Sequence, residues 1–205
     1  MALMPKVRGI EQSVFKNAAT KTVTMLNSRY SYDVKLELNY LASFRRGLYR
    51  HDDNTIVLYY KNFVSKEQVI SKARHEFWHA VQWKTIPEAM QRSQEFMSYL
   101  GDHTEGIAYL LYWLNPVEIG ARHFESETRD MATNLPKPLS VEERVQEYKH
   151  LLQTQGICTC FSVLLSWLAE EPLAPDELED IRKKINQDYH DEISQSQIDR
   201  LGLHW

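Results

Sequence analysis

The run Ala73-Arg74-His75-Glu76-Phe77-Trp78-His79-Ala80-Val81-Gln82-Trp83 constrains this chain more than any other stretch. At about 100° per residue, His75 and His79 of a helix lie roughly 40° apart, one turn above the other. His-Glu-x-x-His therefore lets one helix offer two imidazoles to a zinc ion and a carboxylate to a water on that ion. Glu76 falls about 100° round from His75, too far to aim at the same ion but well placed to reach one of its ligands. Ser65 followed by Gln68 has the form of a capping box and starts the helix, which is expected to run to about Trp83. In helical projection Val69, Ile70, Ala73, Phe77, Ala80 and Val81 share an arc roughly opposite His75, while Gln68, Ser71, Lys72 and Gln82 share the histidines' side. The expectation is an apolar back against a core and a polar front turned away from it. A single histidine is more often a satisfied core residue than a ligand. Here two stand one turn apart with a glutamate between them.

The segments ahead of this helix change period. Ile10, Val14, Ala18, Val23 and Leu26 have helical spacing, which predicts an opening helix over 9–27. Val34 to Leu38 then alternates apolar and charged residues, as a strand with one buried face does. Leu48-Tyr49 and Thr55 to Tyr60 flank the turn-forming cluster His51-Asp52-Asp53-Asn54, which predicts a hairpin. After Pro87 the pattern is helical. Helices are expected over 88–100, from Val117 towards Met131, over 140–152 and over 157–168, with an amphipathic tail from Asp176 to Trp205. The fold class is thus α+β, with a small antiparallel or mixed sheet before the histidine helix and a mostly helical second half. At 205 residues, 43% hydrophobic and 25% charged with seven Gly and seven Pro, the composition is that of a globular protein. We expect one domain over 1–205, with 1–86 carrying the sheet and histidine helix and 87–205 the helical part.

Charge and segment patterns exclude several partners. A formal net charge of −4 without a long basic run gives no footprint for nucleic acid or an anionic membrane. No stretch approaches the ~18 apolar residues of a membrane span, and the early charges at Lys6 and Arg8 do not suit a signal peptide. A cytoplasmic location is the expectation. Cys158 and Cys160 are separated by one residue, too close for an unstrained disulfide, and read as reduced, buried thiols.

A catalytic zinc usually has three protein ligands and an open position. The downstream candidates for the third are His103, Glu105, Glu118, His123, Glu125 and Glu127. Glu118 is preferred. Asn115-Pro116 signals an N-cap and first helical residue, so Glu118 sits in the first turn of a new and rigid helix. The competing role is structural: from the third helical position its carboxylate can fold back to the cap's backbone N–H. Glu125, about 20° from Glu118 and two turns further on, is the runner-up ligand. Arg122 lies on that face between them and can orient a carboxylate.

His75-Glu76-Phe77-Trp78-His79-Ala80-Val81-Gln82, followed by Asn115-Pro116-Val117-Glu118-Ile119-Gly120-Ala121-Arg122-His123-Phe124-Glu125, resembles the zincin metallopeptidases. It is most similar to small bacterial and phage-encoded zincins of gluzincin-like type, in which a histidine helix precedes an Asn-Pro-x-Glu-x-x-Ala-x-x-Phe-Glu segment. The resemblance spans the middle third to half of the chain. It implies Glu118 as third ligand, one zinc per chain, and a small sheet against the active-site helix with a helical second half. Two departures stand out. Better-known gluzincins carry an Asp four residues after the ligand Glu, where this chain has Arg122, and the third histidine of metzincins is missing, since Lys84 and Thr85 follow Trp83.

The implied chemistry is zinc-dependent hydrolysis of a peptide or protein substrate, with Glu76 as general base towards the attacking water. His103, Tyr109, Tyr112 and His123 are the candidate oxyanion or substrate groups. The Thr55–Tyr60 strand is a candidate for binding an extended peptide by strand addition, or else an ordinary edge strand covered by helices. Two rivals stand beside this reading. One is a degenerate zincin acting as a binding or regulatory protein, with a structural metal and a phage or host partner. The other is a metal-free helical domain.

Overall fold

The computed structural model describes residues 5–40, 43, 45–100, 111–126, 137–155 and 164. The chain divides into two compact units, Met1–Thr85 with Gly120–Lys137 and Ile86–Ile119 with Pro138–Trp205.

The first unit begins with α1 (Pro5–Tyr30), longer at both ends than the periodicity predicts. Pro5 suits a first helical position. The helix stops in a Schellman-type turn: Ser31 takes a left-handed φ of 57° and the Tyr32 N–H donates to the Asn27 carbonyl at 3.1 Å. Asn27 then sets the exit direction. Its side chain donates to the Val34 carbonyl at 2.8 Å and accepts the Val34 N–H at 3.0 Å, delivering the chain into β1 (Lys35–Asn39). The predicted hairpin is present as β2 (Gly47–Arg50) and β3 (Thr55–Tyr59), with Asn54 in the left-handed region at its turn. The sheet is mixed, in the order β1-β3-β2, with β1 parallel to β3 and β2 antiparallel to it.

This order corrects the expected role of the Thr55–Tyr60 segment. β3 is the central strand, its backbone paired on both sides, so it is neither a peptide-binding edge nor a covered one. Its sequence carries the reason. Ile56, Val57 and Leu58 are 0%, 2% and 0% exposed in succession, the continuous apolar run of a strand covered on both faces.

Helix α2 (Lys66–Thr85) crosses against β2 and β3 and packs on α1. Its start is a reciprocal cap. The Gln68 N–H reaches Ser65 Oγ at 3.3 Å and Gln68 Oε1 accepts the Val64 N–H at 3.2 Å, one residue earlier than the usual capping box. Ala73, Phe77, Ala80 and Val81 enter the core with Ala19, Val23, Leu26, Ile56 and Leu58. Phe124 joins them, its ring 4.9 Å from Trp78 and 6.4 Å from Phe77.

In the second unit, α3 (Pro87–Leu100) and α5 (Val141–Gln155) match the expected helices to within a few residues. A full capping box opens α5: Glu143 N–H to Ser140 Oγ at 3.1 Å and Ser140 N–H to Glu143 Oε2 at 2.7 Å. Between them α4 (Pro116–Ser126) starts where Asn115-Pro116 places it. The division between units falls inside this one continuous helix, after Ile119. Apart from Leu164, which is helical and buried, the expected helix over 157–168, the tail from Asp176, and Cys158 and Cys160 lie outside the described residues. No described helix is long and apolar enough to cross a membrane.

Candidate metal centre

On α2 the expected polar front is not a solvent face. Every residue from Ala73 to Gln82 is buried, with His75, Glu76, His79 and Gln82 at 3%, 2%, 9% and 2% exposure. Buried polar groups persist only when their hydrogen-bonding capacity is met. Here the histidine face is satisfied by partners that the linear sequence does not announce.

His75 Nδ1 lies 2.9 Å from Glu125 Oε2, and the other Glu125 oxygen accepts a short hydrogen bond from Ser71 Oγ. His79 Nδ1 lies 2.8 Å from Gln82 Oε1. Burial pushes the Glu125 carboxyl up, but His75, Ser71 and Lys72 more than offset this and hold it at about 2. An ionised carboxylate and an amide oxygen can only accept, so both Nδ1 atoms donate. In the neutral imidazole this leaves each Nε2 with a lone pair for a metal. The two rings stand edge to face, centroids 4.9 Å apart. Such outer partners fix tautomer and ring orientation in metal sites.

Glu118 completes the set. His75, His79 and Glu118 each offer a donor atom, all within 4.8 Å of one another, and among the described residues this is the group that fits a metal ion. Its position follows from the way α4 is anchored. Asn115 is fully buried, caps the helix through Oδ1 to the Val117 N–H at 3.2 Å, and donates from Nδ2 to Ser93 Oγ at 2.9 Å. Two residues after Glu118, Gly120 leaves no space for a side chain: a Cβ there would stand 2.9 Å from Trp78 Nε1 and 3.0 Å from Gln82 Nε2. The Asn115 N–H, which a capping Glu118 would engage, donates to the Tyr112 carbonyl at 3.2 Å. Glu118 Oε2 is shielded from solvent in the cluster. Two imidazoles and one carboxylate at this spacing are the donor set of a single zinc site.

Glu76 stands beside the cluster with Oε1 2.8 Å from Lys72 Nζ. Burial alone would push its carboxyl up, but the Lys72 ammonium and the two imidazoles hold it below the ordinary carboxylate value. It is a buried carboxyl held towards its ionised form. The arrangement of His75, Glu76, His79 and Glu118 matches that of a zinc peptidase of gluzincin-like type, and the mixed sheet against the histidine helix matches the fold.

The other residues expected at the site fall in several places. Glu125 contacts His75 and Ser71. His123 is on the exposed side of α4, about 140° round from Glu118. Tyr112 is half-buried with its ring edge-on to Trp113. His103 and Tyr109, with Glu105 and Glu127, lie outside the described residues. Helical projection puts Gln82, Ser71 and Lys72 on the histidines' side without giving them roles. The available signals are the three-residue step from His79 to Gln82 and the four-residue steps from Ser71 to His75 and from Lys72 to Glu76.

Comparison with protein-family models, curated proteins and solved structures returns no match.

Proposed function

We propose that this chain is a zinc-dependent peptidase, with His75, His79 and Glu118 as ligands and Glu76 as general base. The observation that carries the reading is the convergence of three donors from α2 and α4 beside the buried Glu76. When bound, zinc would polarise the scissile carbonyl and lower the pKa of a water in its open position. Glu76 takes the proton of the attacking water and passes it to the leaving amine. Glu125 and Gln82 hold the two imidazoles in the tautomer that leaves Nε2 for the metal. We assign Glu125, the runner-up ligand of the sequence, to this positioning role, because its oxygens are directed to His75 Nδ1 and Ser71. For the oxyanion, Tyr112 is the described candidate, alongside His103 and Tyr109.

A peptide substrate also needs a track. Among the described residues β2 is an edge strand, and Gly47 at its start lies against Glu76, where a Cβ would come within 3.3 Å of Glu76 Cγ. An extended peptide adding to that edge passes the base with its backbone aligned. Membership of the small bacterial and phage-encoded zincins is part of this reading and rests on the segments from His75 to Gln82 and from Asn115 to Glu125.

Glu76→Gln is the deciding experiment. The variant is expected to bind one zinc per chain and melt as the wild type does, while hydrolysis of a fluorescent casein or peptide mixture falls by about 10²–10⁴-fold. Undiminished hydrolysis would remove Glu76 from the mechanism. A wild type that binds zinc and cleaves nothing would favour a binding protein with a structural metal.

A further inference from the structure

Lys72 is not among the proposed metal ligands, yet it is in direct contact with the proposed base. Its Nζ lies 2.8 Å from Glu76 Oε1, and the two side chains are 20% and 3% exposed. Exposed i,i+4 pairs of this kind contribute little. A pair this well buried is different, since a buried carboxylate requires a partner and its orientation is then fixed by that partner.

The helix geometry places Lys72 on the reacting side. It lies about 20° from His79 and about 60° from His75 in projection, one turn before Glu76. The ammonium is therefore on the ligand face. The backbone of β2 walls the pair in: a Cβ at Gly47 would stand 3.2 Å from Lys72 Cγ, 3.3 Å from Glu76 Cγ and 2.9 Å from Leu58 Cδ2. With a strand on one side and the helix on the other, the lysine stem and the glutamate have little freedom to rearrange.

We propose that Lys72 is a positioning residue for Glu76: it ties down one carboxylate oxygen so that the other is presented to the attacking water. The inference rests on the zinc-peptidase reading above. Tying down Oε1 lets Glu76 receive the water's proton on Oε2 without first losing rotational freedom, which is the benefit of a preorganised base. A merely structural lysine would neutralise a buried charge and leave the orientation of Glu76 to other groups.

The two roles separate in a binding measurement that needs no turnover. Acetohydroxamic acid chelates zinc and shares its hydroxyl proton with the adjacent carboxylate, so its affinity reports how that carboxylate is presented. The zinc-loaded wild type, Lys72→Arg, Lys72→Met, Lys72→Gln and Glu76→Gln are titrated with it by calorimetry, with zinc content and melting temperature measured on each. The expected result is wild-type affinity for Lys72→Arg and a loss of about tenfold for Lys72→Met and Lys72→Gln, with one zinc per chain in each variant and a lower melting temperature in the two neutral variants, which leave the buried Glu76 carboxylate without this partner. Wild-type affinity in Lys72→Met would overturn the proposal. So would loss of zinc or of the fold in both neutral variants, which would make Lys72 a structural group. If Glu76→Gln itself binds the hydroxamate as the wild type does, the peptidase reading fails and the inference with it.

Discussion

At the scale of single residues, the centre depends as much on the groups behind the histidines as on the ligands themselves. Gln82→Leu removes the oxygen that holds His79 Nδ1 while keeping a side chain of similar size, and leaves a buried imidazole N–H without its acceptor. Zinc affinity should fall about 10–100-fold, read by competition with a chromogenic chelator. Unaltered affinity would show that His79 is oriented by other contacts. Glu125 gives a second, pH-resolved expectation. Its carboxyl is held at about 2 against an ordinary 4.5, because the contributions of His75, Ser71 and Lys72 outweigh burial. A carboxyl depressed on folding binds fewer protons in the folded state. The stability it contributes is thus fully present above about pH 4.5 and is lost as pH falls towards 2. In Glu125→Gln that contribution is missing at every pH. On metal-free protein the melting temperature of the wild type should therefore fall more steeply than the variant's through this window, and the two should converge at its acid end. Parallel curves would detach Glu125 from acid stability.

At the scale of elements, the decisive contact is the approach of α4 to α2 at Gly120. Gly in a helix interior ordinarily costs about 1 kcal/mol relative to Ala, so Gly120→Ala would be stabilising on propensity alone. Here the added methyl meets Trp78 Nε1 at 2.9 Å and Gln82 Nε2 at 3.0 Å, both on buried side chains. Overpacking of this kind costs about 1–3 kcal/mol and should outweigh the propensity gain. The expected outcome is a lower denaturation midpoint together with weaker zinc binding, since Gln82 is one of the two groups that the methyl meets. A more stable variant with intact zinc affinity would mean that the helices yield without cost. Much of this element scale is legible in sequence. The hairpin follows from His51 to Asn54, the α4 start from Asn115-Pro116 and the α5 start from Ser140, because each is fixed by local backbone chemistry within a few residues. Strand order is not legible, since nothing local in Lys35–Asn39 says that it pairs in parallel with Thr55–Tyr59. Nor is the burial of the histidine face. A projection of α2 shows which residues are polar, while Glu125 and Gly120, about fifty and forty residues away in sequence, meet α2 only through the fold.

At the scale of the whole molecule, zinc would couple distant parts of the chain. His79 and Glu118 are 39 residues apart in sequence, and a metal bound to both restrains every conformation in which they separate. Binding to the folded state alone stabilises it by RT ln(1 + [L]/Kd), about 2.7 kcal/mol when free zinc is a hundredfold above Kd. For a chain of this size that corresponds to a rise of about 5–10 °C in melting temperature. Stripping the wild type with 1,10-phenanthroline should lower the melting temperature by this amount, and stoichiometric zinc should restore it. Glu118→Ala tests whether the third donor contributes to that restraint. With only two histidines left, the variant should melt near the metal-free wild type and respond weakly to added zinc, whereas Glu76→Gln should respond fully. Equal responses in Glu118→Ala and the wild type would place the third ligand elsewhere, and would reduce the meeting of α2 and α4 at this point to packing.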